Sequence, residues 1–295
     1  MILQARDRGF LWRVDYQGRT AWLYGTLHVA TFRRSLPGPT VREALRSAGS
    51  LALELNLQDP ALLRPVLDGM AARPDAQPLP QDLADRLAAQ LQAACLPASL
   101  QQQMRPDALI LKLVTLSARR QGIYPDYGAD MMLAGVAQKL GKPILSLEAP
   151  EQQLRALMTD EPEALQNSVR FGLEQLESGA TAQGLAQLTQ IWADGRFNLL
   201  ETYFQWCHCV GSDQERANLV QQIQVRNQAM AAQIAAQLRA GETPFVAVGS
   251  LHMTGPQGLP ALLAAQGFAV QRVSWPAPTA QSRAAIAEAK TPEVQ

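Results

Sequence analysis

One pattern, present at both ends of the chain, limits the fold more than any other feature. A strand-like apolar run leads into Gly-x-x-His, then a Pro/Gly loop, a short helical stretch, a glycine and a second strand-like run. Near the N-terminus the motif is Gly25-Thr26-Leu27-His28. It follows a hairpin whose strands are Phe10 to Tyr16 and Thr20 to Tyr24, with Gln17-Gly18 as the turn. After it come Leu36-Pro37-Gly38-Pro39, a helix over Val41 to Ala48 capped by Thr40, the stop at Gly49, and a strand over Leu51 to Leu57. Near the C-terminus, Phe245 to Val248 runs into Gly249-Ser250-Leu251-His252. A helix over Leu259 to Ala265, Gly267 and a strand over Phe268 to Trp275 follow.

Strands joined through helices return parallel, so the pattern predicts an α/β fold. Its central sheet, largely parallel or mixed, is formed by both chain ends, with a large helical insertion between them. The two Gly-x-x-His segments then lie side by side. Residues 58–122, rich in Pro, Gln, Ala and Leu, read as a helical insertion or cap. Asp126 to Leu140 reads as a helix closed by Gly141, and Pro143 to Glu148 as a buried strand. Residues 151–240 are helical, with breaks near Pro162, Gly179, Gly195 and Gly211. Residues 1–275 are expected to form one domain, and 276–295 a mobile tail.

Composition narrows the partners. With 295 residues and 47% of them hydrophobic, the chain can bury a substantial core. Lys plus Arg equals Asp plus Glu at 26 each, so nothing suggests a nucleic-acid partner, which needs a basic face. No apolar run approaches the roughly 18 residues of a membrane span. Met1 to Gly9 is charged and lacks an apolar run, so no secretory leader is expected there. The chain as given reads as soluble and cytoplasmic, or as periplasmic or exported if a leader has been removed. The sequence carries no signal for an oligomeric state. The cysteines are Cys95, Cys207 and Cys209, an odd number that argues against a disulfide framework and suits a reducing compartment. Cys207-His208-Cys209 lacks the spacing and the second ligand pair of a structural zinc site, so it reads as packed side chains on a helix.

The chemistry concentrates on strand ends. His28, Glu54, Glu148 and His252 each fall at or near the C-terminal end of an expected strand, where open α/β sheets bind ligands. In the strand from Leu51 to Leu57 the leucines take one face, leaving Ala52, Glu54 and Asn56 on the other. In a sheet covered on both faces, the Glu54 carboxylate needs a partner. In the helix over Leu219 to Leu238, Arg226 falls within the stripe of Leu219, Ile223, Met230 and Ile234, with Asn227 at its border. A core-facing Arg needs a carboxylate or an anionic ligand, and Asp130 is one possible partner. Tyr24, Asp126 and Trp192 read as core or loop residues. Two imidazoles and one or two carboxylates suit a divalent transition metal, which acidifies water and polarises carbonyls. Without a metal the same groups can act as an acid-base pair.

These residues resemble the TraB/GumN/PrgY family, which includes the Tiki proteases. The matching segments are Trp22 to His28, Leu53-Glu54-Leu55, Gly141-Lys142-Pro143 through Leu147-Glu148-Ala149-Pro150-Glu151-Gln152-Gln153, Arg226-Asn227, Phe245 to His252 and Gly255-Pro256-Gln257-Gly258-Leu259. They span nearly the whole chain to Val273. The resemblance implies a metal-dependent protease using the two Gly-x-x-His histidines and a glutamate, with manganese or cobalt favoured. The wider superfamily also holds erythromycin-esterase-like hydrolases and a haem-binding lipoprotein of the same fold, and PrgY is linked to shutting down a peptide pheromone. Many bacterial relatives are exported. Carried over, the metal ligands are His28, His252 and Glu54, and Glu148, Arg226 and Asn227 match recurrent positions.

The resulting expectation is a metal-dependent hydrolase, in particular a peptidase. Its divalent ion (manganese, cobalt or zinc) is held by His28, His252 and Glu54. Glu148 serves as base or supporting carboxylate, and Arg226 holds a carboxylate or stabilises developing negative charge. The substrate is a peptide or small molecule. Two alternatives remain open: a metal-independent, esterase-like hydrolase with a His general base, and a non-catalytic protein that captures a peptide or small ligand.

Overall fold

The computed structural model describes residues 5–207 and 209–275. The expected tail at 276–295 and His208 lie outside the described residues. Six strands form one mixed sheet: β1 (Phe10–Tyr16), β2 (Arg19–Thr26), β3 (Ser50–Leu53), β4 (Ile144–Ser146), β5 (Pro244–Gly249) and β6 (Ala269–Val273), in the order β4-β3-β5-β2-β1-β6. Strands β4, β3, β5 and β2 run parallel, while β1 is antiparallel to both β2 and β6. Both chain ends therefore build the sheet, as the repeated pattern requires.

The sequence of each parallel strand explains its place. β5 and β3 are buried along almost their whole length, the signature of strands covered on both faces. Helices Pro39–Ser47, Ala129–Lys139, Asp213–Arg239 and Leu259–Ala265 supply part of that cover, and their buried residues share one apolar cluster with the strands. At roughly 1.5–3 kcal/mol for each large apolar side chain removed from water, this cluster is the main driving force for the fold. Leu83, Leu87, Leu91, Leu109, Leu113, Val169 and Leu173 form a separate cluster among helices Gln81–Ala93, Pro106–Leu116 and Pro162–Glu177.

Several local expectations are corrected. The helix expected from Val41 starts at Pro39 with Gly38 at its cap, because Asp7 instead engages the Thr40 hydroxyl and the Thr40 and Val41 N–H groups. β3 ends at Leu53 rather than Leu57. The chain turns to reach the Pro60–Met70 helix, capped by Asp59, and Leu57 is left 39% exposed. The helix expected over Asp126 to Leu140 breaks into a short 3-10 turn, Pro125–Tyr127, and the helix Ala129–Lys139. Cys207 and Cys209 do not lie within a helix. They are joined by a disulfide in the loop after the Tyr203–Trp206 helix, which withdraws the cysteine argument for a reducing compartment. An odd cysteine count excludes only complete pairing, and Cys95 is the cysteine left free. No helix of the described residues is long and apolar enough to cross a membrane.

Candidate functional site

Parallel register gathers the site. Gly25 pairs with Val248 and Thr26 with Gly249, so β2 and β5 end at one level. Leu53 pairs with Ala247 on one side and Ser146 on the other. Beyond the sheet the Glu148 N–H still donates to the Glu54 carbonyl at 2.9 Å. Neighbouring strands are about 4.8 Å apart, so four adjacent parallel strands deliver Glu148, Glu54, His252 and His28 to one edge.

The two motifs are tied together, with different glycine roles. Ser250 Oγ donates to the Thr26 carbonyl at 2.8 Å. A Cβ on Gly25 would press on Ser250 at 3.0 Å, so this glycine permits the two motifs to approach. A Cβ on Gly249 would instead lie 3.1 Å from Glu54 Oε1, 3.4 Å from His28 Nε2 and 3.6 Å from His252 Cδ2. Gly249 therefore borders a small space that these three side chains surround.

Glu54 is the hub. Its Oε1 accepts the Gly249 N–H at 2.6 Å and its Oε2 accepts Arg226 Nη2 at 2.6 Å. Oε1 also lies 3.7 Å from His252 Nε2 and 3.9 Å from His28 Nε2. Burial pushes the Glu54 carboxyl upward, but the two imidazoles, Arg226 and the Gly249 N–H outweigh it and hold its pKa at about 2.

Each histidine is oriented through its other nitrogen. Asn227 Nδ2 donates to the Gln257 carbonyl at 2.7 Å, which fixes the amide so that Oδ1 faces His252 Nδ1 at 2.6 Å. An amide oxygen only accepts, so Nδ1 carries the hydrogen and the neutral ring turns a lone pair on Nε2 toward Glu54. Burial, the largest influence, lowers the His252 pKa and favours that neutral ring. His28 Nδ1 lies 3.0 Å from Asp130 Oδ2. Burial also works against protonation of His28, but Asp130 and Glu54 prevail and raise its pKa to about 9. The His28 side chain is 61% exposed, so solvent screens part of that pull.

Arg226 bridges the carboxylates. Its Nε donates to Glu148 Oε1 at 2.7 Å and its Nη2 to Glu148 Oε2 at 2.8 Å, in addition to the Glu54 contact. Burial opposes its charge, but the two carboxylates overcome this and raise its pKa. Glu148 is 3% exposed and also accepts from Gln153 Nε2 at 3.3 Å. The expected site residues thus all meet, with two changes of partner. Asp130 serves His28 rather than Arg226, and Asn227 is 1% exposed at the buried centre of its helix face rather than at its border. The Gly249 N–H is a contributor that the sequence left unassigned, and the pairing of Asp130 with His28, 102 positions away, has no local signal.

With His252 neutral and His28 protonated, the carboxylates of Glu54, Glu148 and Asp130 still outnumber the cations Arg226 and His28 by one, a surplus of negative charge that favours a cation. Ligands bound to one ion at about 2.1 Å lie no more than ~4.2 Å apart. Both Glu54–imidazole spacings fall inside that limit. Among the described residues, no group of three or more His, Cys, Asp or Glu side chains is placed so that it could hold a metal ion.

No curated protein and no solved structure matches the chain. The sequence model of one family does match, over residues 10–272, which takes in β1 to β5, β6 as far as Arg272, and every residue of the site. The chain belongs to the TraB/PrgY/gumN family.

Proposed function

We propose that the protein is a metal-dependent hydrolase acting on peptides. A divalent cation would be held by His28, His252 and Glu54. The observation that carries this reading is the shared orientation of the two imidazoles. Each engages an acceptor through Nδ1, Asp130 for His28 and the Gln257-anchored Asn227 for His252, and each turns Nε2 toward the same Glu54 oxygen. Outer partners of this kind fix the tautomer of metal-binding histidines.

A divalent cation there supplies Lewis acidity toward a carbonyl and acidifies a water molecule. The chain's own groups do the rest. Glu54 stays ionised because Arg226 and the Gly249 N–H hold it. Glu148 is fully engaged by Arg226 and Gln153, so its part is to position Arg226 rather than to exchange protons with substrate. Asn227 is likewise a positioning residue. His28, with its exposed ring, is the group that an incoming substrate meets first. Peptide hydrolysis by the purified protein should cease on exhaustive chelation, return with manganese, cobalt or zinc, and be absent from His28→Ala and His252→Ala.

A second reading rests on one observation. An exposed imidazole oriented by a carboxylate, His28 with Asp130, is also the base–orienter pair of metal-free hydrolases. It requires activity that survives chelation and is lost in His28→Ala alone.

A further inference from the structure

The Cys207–Cys209 disulfide stands apart from the site above. A cross-link spanning one intervening residue closes a minimal loop, so it restrains the unfolded chain little and contributes little to stability. Its two cysteines are also unequally buried. Cys207 is 9% exposed, and its Sγ accepts the Cys209 N–H at 3.2 Å. Cys209 is half-buried and lines a groove of about 430 Å³ between the Pro162–Glu177 helix and the start of the Asp213–Arg239 helix. Asn167, Ser168 and Glu215 offer polar atoms in this groove, the Glu215 carboxylate already accepting the Gly211 N–H, and Phe171, Val210 and Leu219 offer apolar surface. That mixture suits a short peptide segment, whose backbone needs hydrogen bonds and whose side chains need apolar contact.

We propose that Cys207–Cys209 is a thiol–disulfide exchange site that oxidises a peptide dithiol seated in this groove. A peptide thiolate attacks Cys209 Sγ, the protein S–S bond breaks, and Cys207 leaves as a thiolate stabilised by the Cys209 N–H. The second peptide thiol, as thiolate, attacks the mixed disulfide. The peptide disulfide forms, Cys209 leaves as a thiolate, and the two protons of the peptide thiols pass to Cys207 and Cys209. Two electrons move from the peptide to the protein. In the reverse direction Cys209 is the attacking thiol and Cys207 the resolving one.

The test uses the full chain in a Cys95→Ser background, which removes the remaining free thiol. The oxidised protein is mixed with a synthetic two-cysteine peptide, and peptide disulfide and protein thiols are followed by mass shift on alkylation. The expected result is stoichiometric oxidation at least about tenfold faster than with an equal concentration of glutathione disulfide, and faster with the peptide than with glutathione as reductant. Cys207→Ser, incubated with the oxidised peptide, should accumulate a mixed disulfide on Cys209, and Cys209→Ser should form none. A Cys207–Cys209 bond inert to the peptide, equal rates with glutathione, or no adduct on Cys207→Ser overturns the proposal.

Discussion

Asn227 Oδ1 lies 2.6 Å from His252 Nδ1, and the same amide donates its hydrogen to the Gln257 carbonyl. One side chain therefore sets the tautomer of a histidine on another element, 25 positions along the chain. Asn227→Leu removes that control. Metal affinity measured by calorimetry should fall about 10–100-fold. Unchanged affinity would separate Asn227 from the site.

The two motif glycines should behave differently. Gly249→Ala places a methyl group in the space bordered by Glu54, His28 and His252, at a φ of −50° that alanine accepts. Its fold stability should change by less than about 1 kcal/mol while hydrolysis and metal uptake are lost. Gly25→Ala instead presses on Ser250 between β2 and β5, and should destabilise by ~1–3 kcal/mol. Paired denaturation and activity measurements distinguish the two; equal effects contradict the assignment.

Arg226→Met leaves two buried carboxylates, Glu54 and Glu148, without their shared cation. The expected loss of stability is about 3–5 kcal/mol, whereas the Arg226→Met/Glu148→Met double variant should recover part of it. Additive losses in urea denaturation would show that the three groups do not act as one network.

The metal-free protein should lose stability toward both acid and alkaline pH. Glu54 titrates at about 2 when folded, against an ordinary value of 4.5. Its stabilisation, on the order of 3 kcal/mol, is present above its unfolded value and lost as pH falls toward 2. His28 is raised from 6.5 to about 9, so its contribution is full below 6.5 and lost as pH rises through 9. Chelator-treated protein unfolded across this range should show both slopes, and His28→Gln should lack the alkaline one. A flat profile above pH 6.5 in the wild type would contradict the His28–Asp130 pairing.

How far the sequence could be read follows from the reach of each signal. The ends of β2, β4 and β5 were legible because apolar runs stop where a sheet stops, which placed His28, Glu148 and His252 together. The extent of β3 was not legible: Leu55 and Leu57 continue the alternation, but the chain turns away after Leu53. Helical periodicity marked Arg226 as inward-facing but could not choose its partner, since Asp130 and Glu148 differ only in tertiary position. The cysteine count misled because it addresses a disulfide framework, while Cys207 and Cys209 form a single local bridge. Neither the strand pattern nor the charge balance identifies a cation, which depends on the spacing of three side chains to within an ångström.

Metal content of protein purified without chelator is the most direct measurement of the central claim. The account predicts about one divalent transition ion per wild-type chain, held by His28, His252 and Glu54, and loss of that ion in His28→Ala and His252→Ala. A wild-type protein that binds no divalent metal, or alanine variants that bind it equally well, would contradict it.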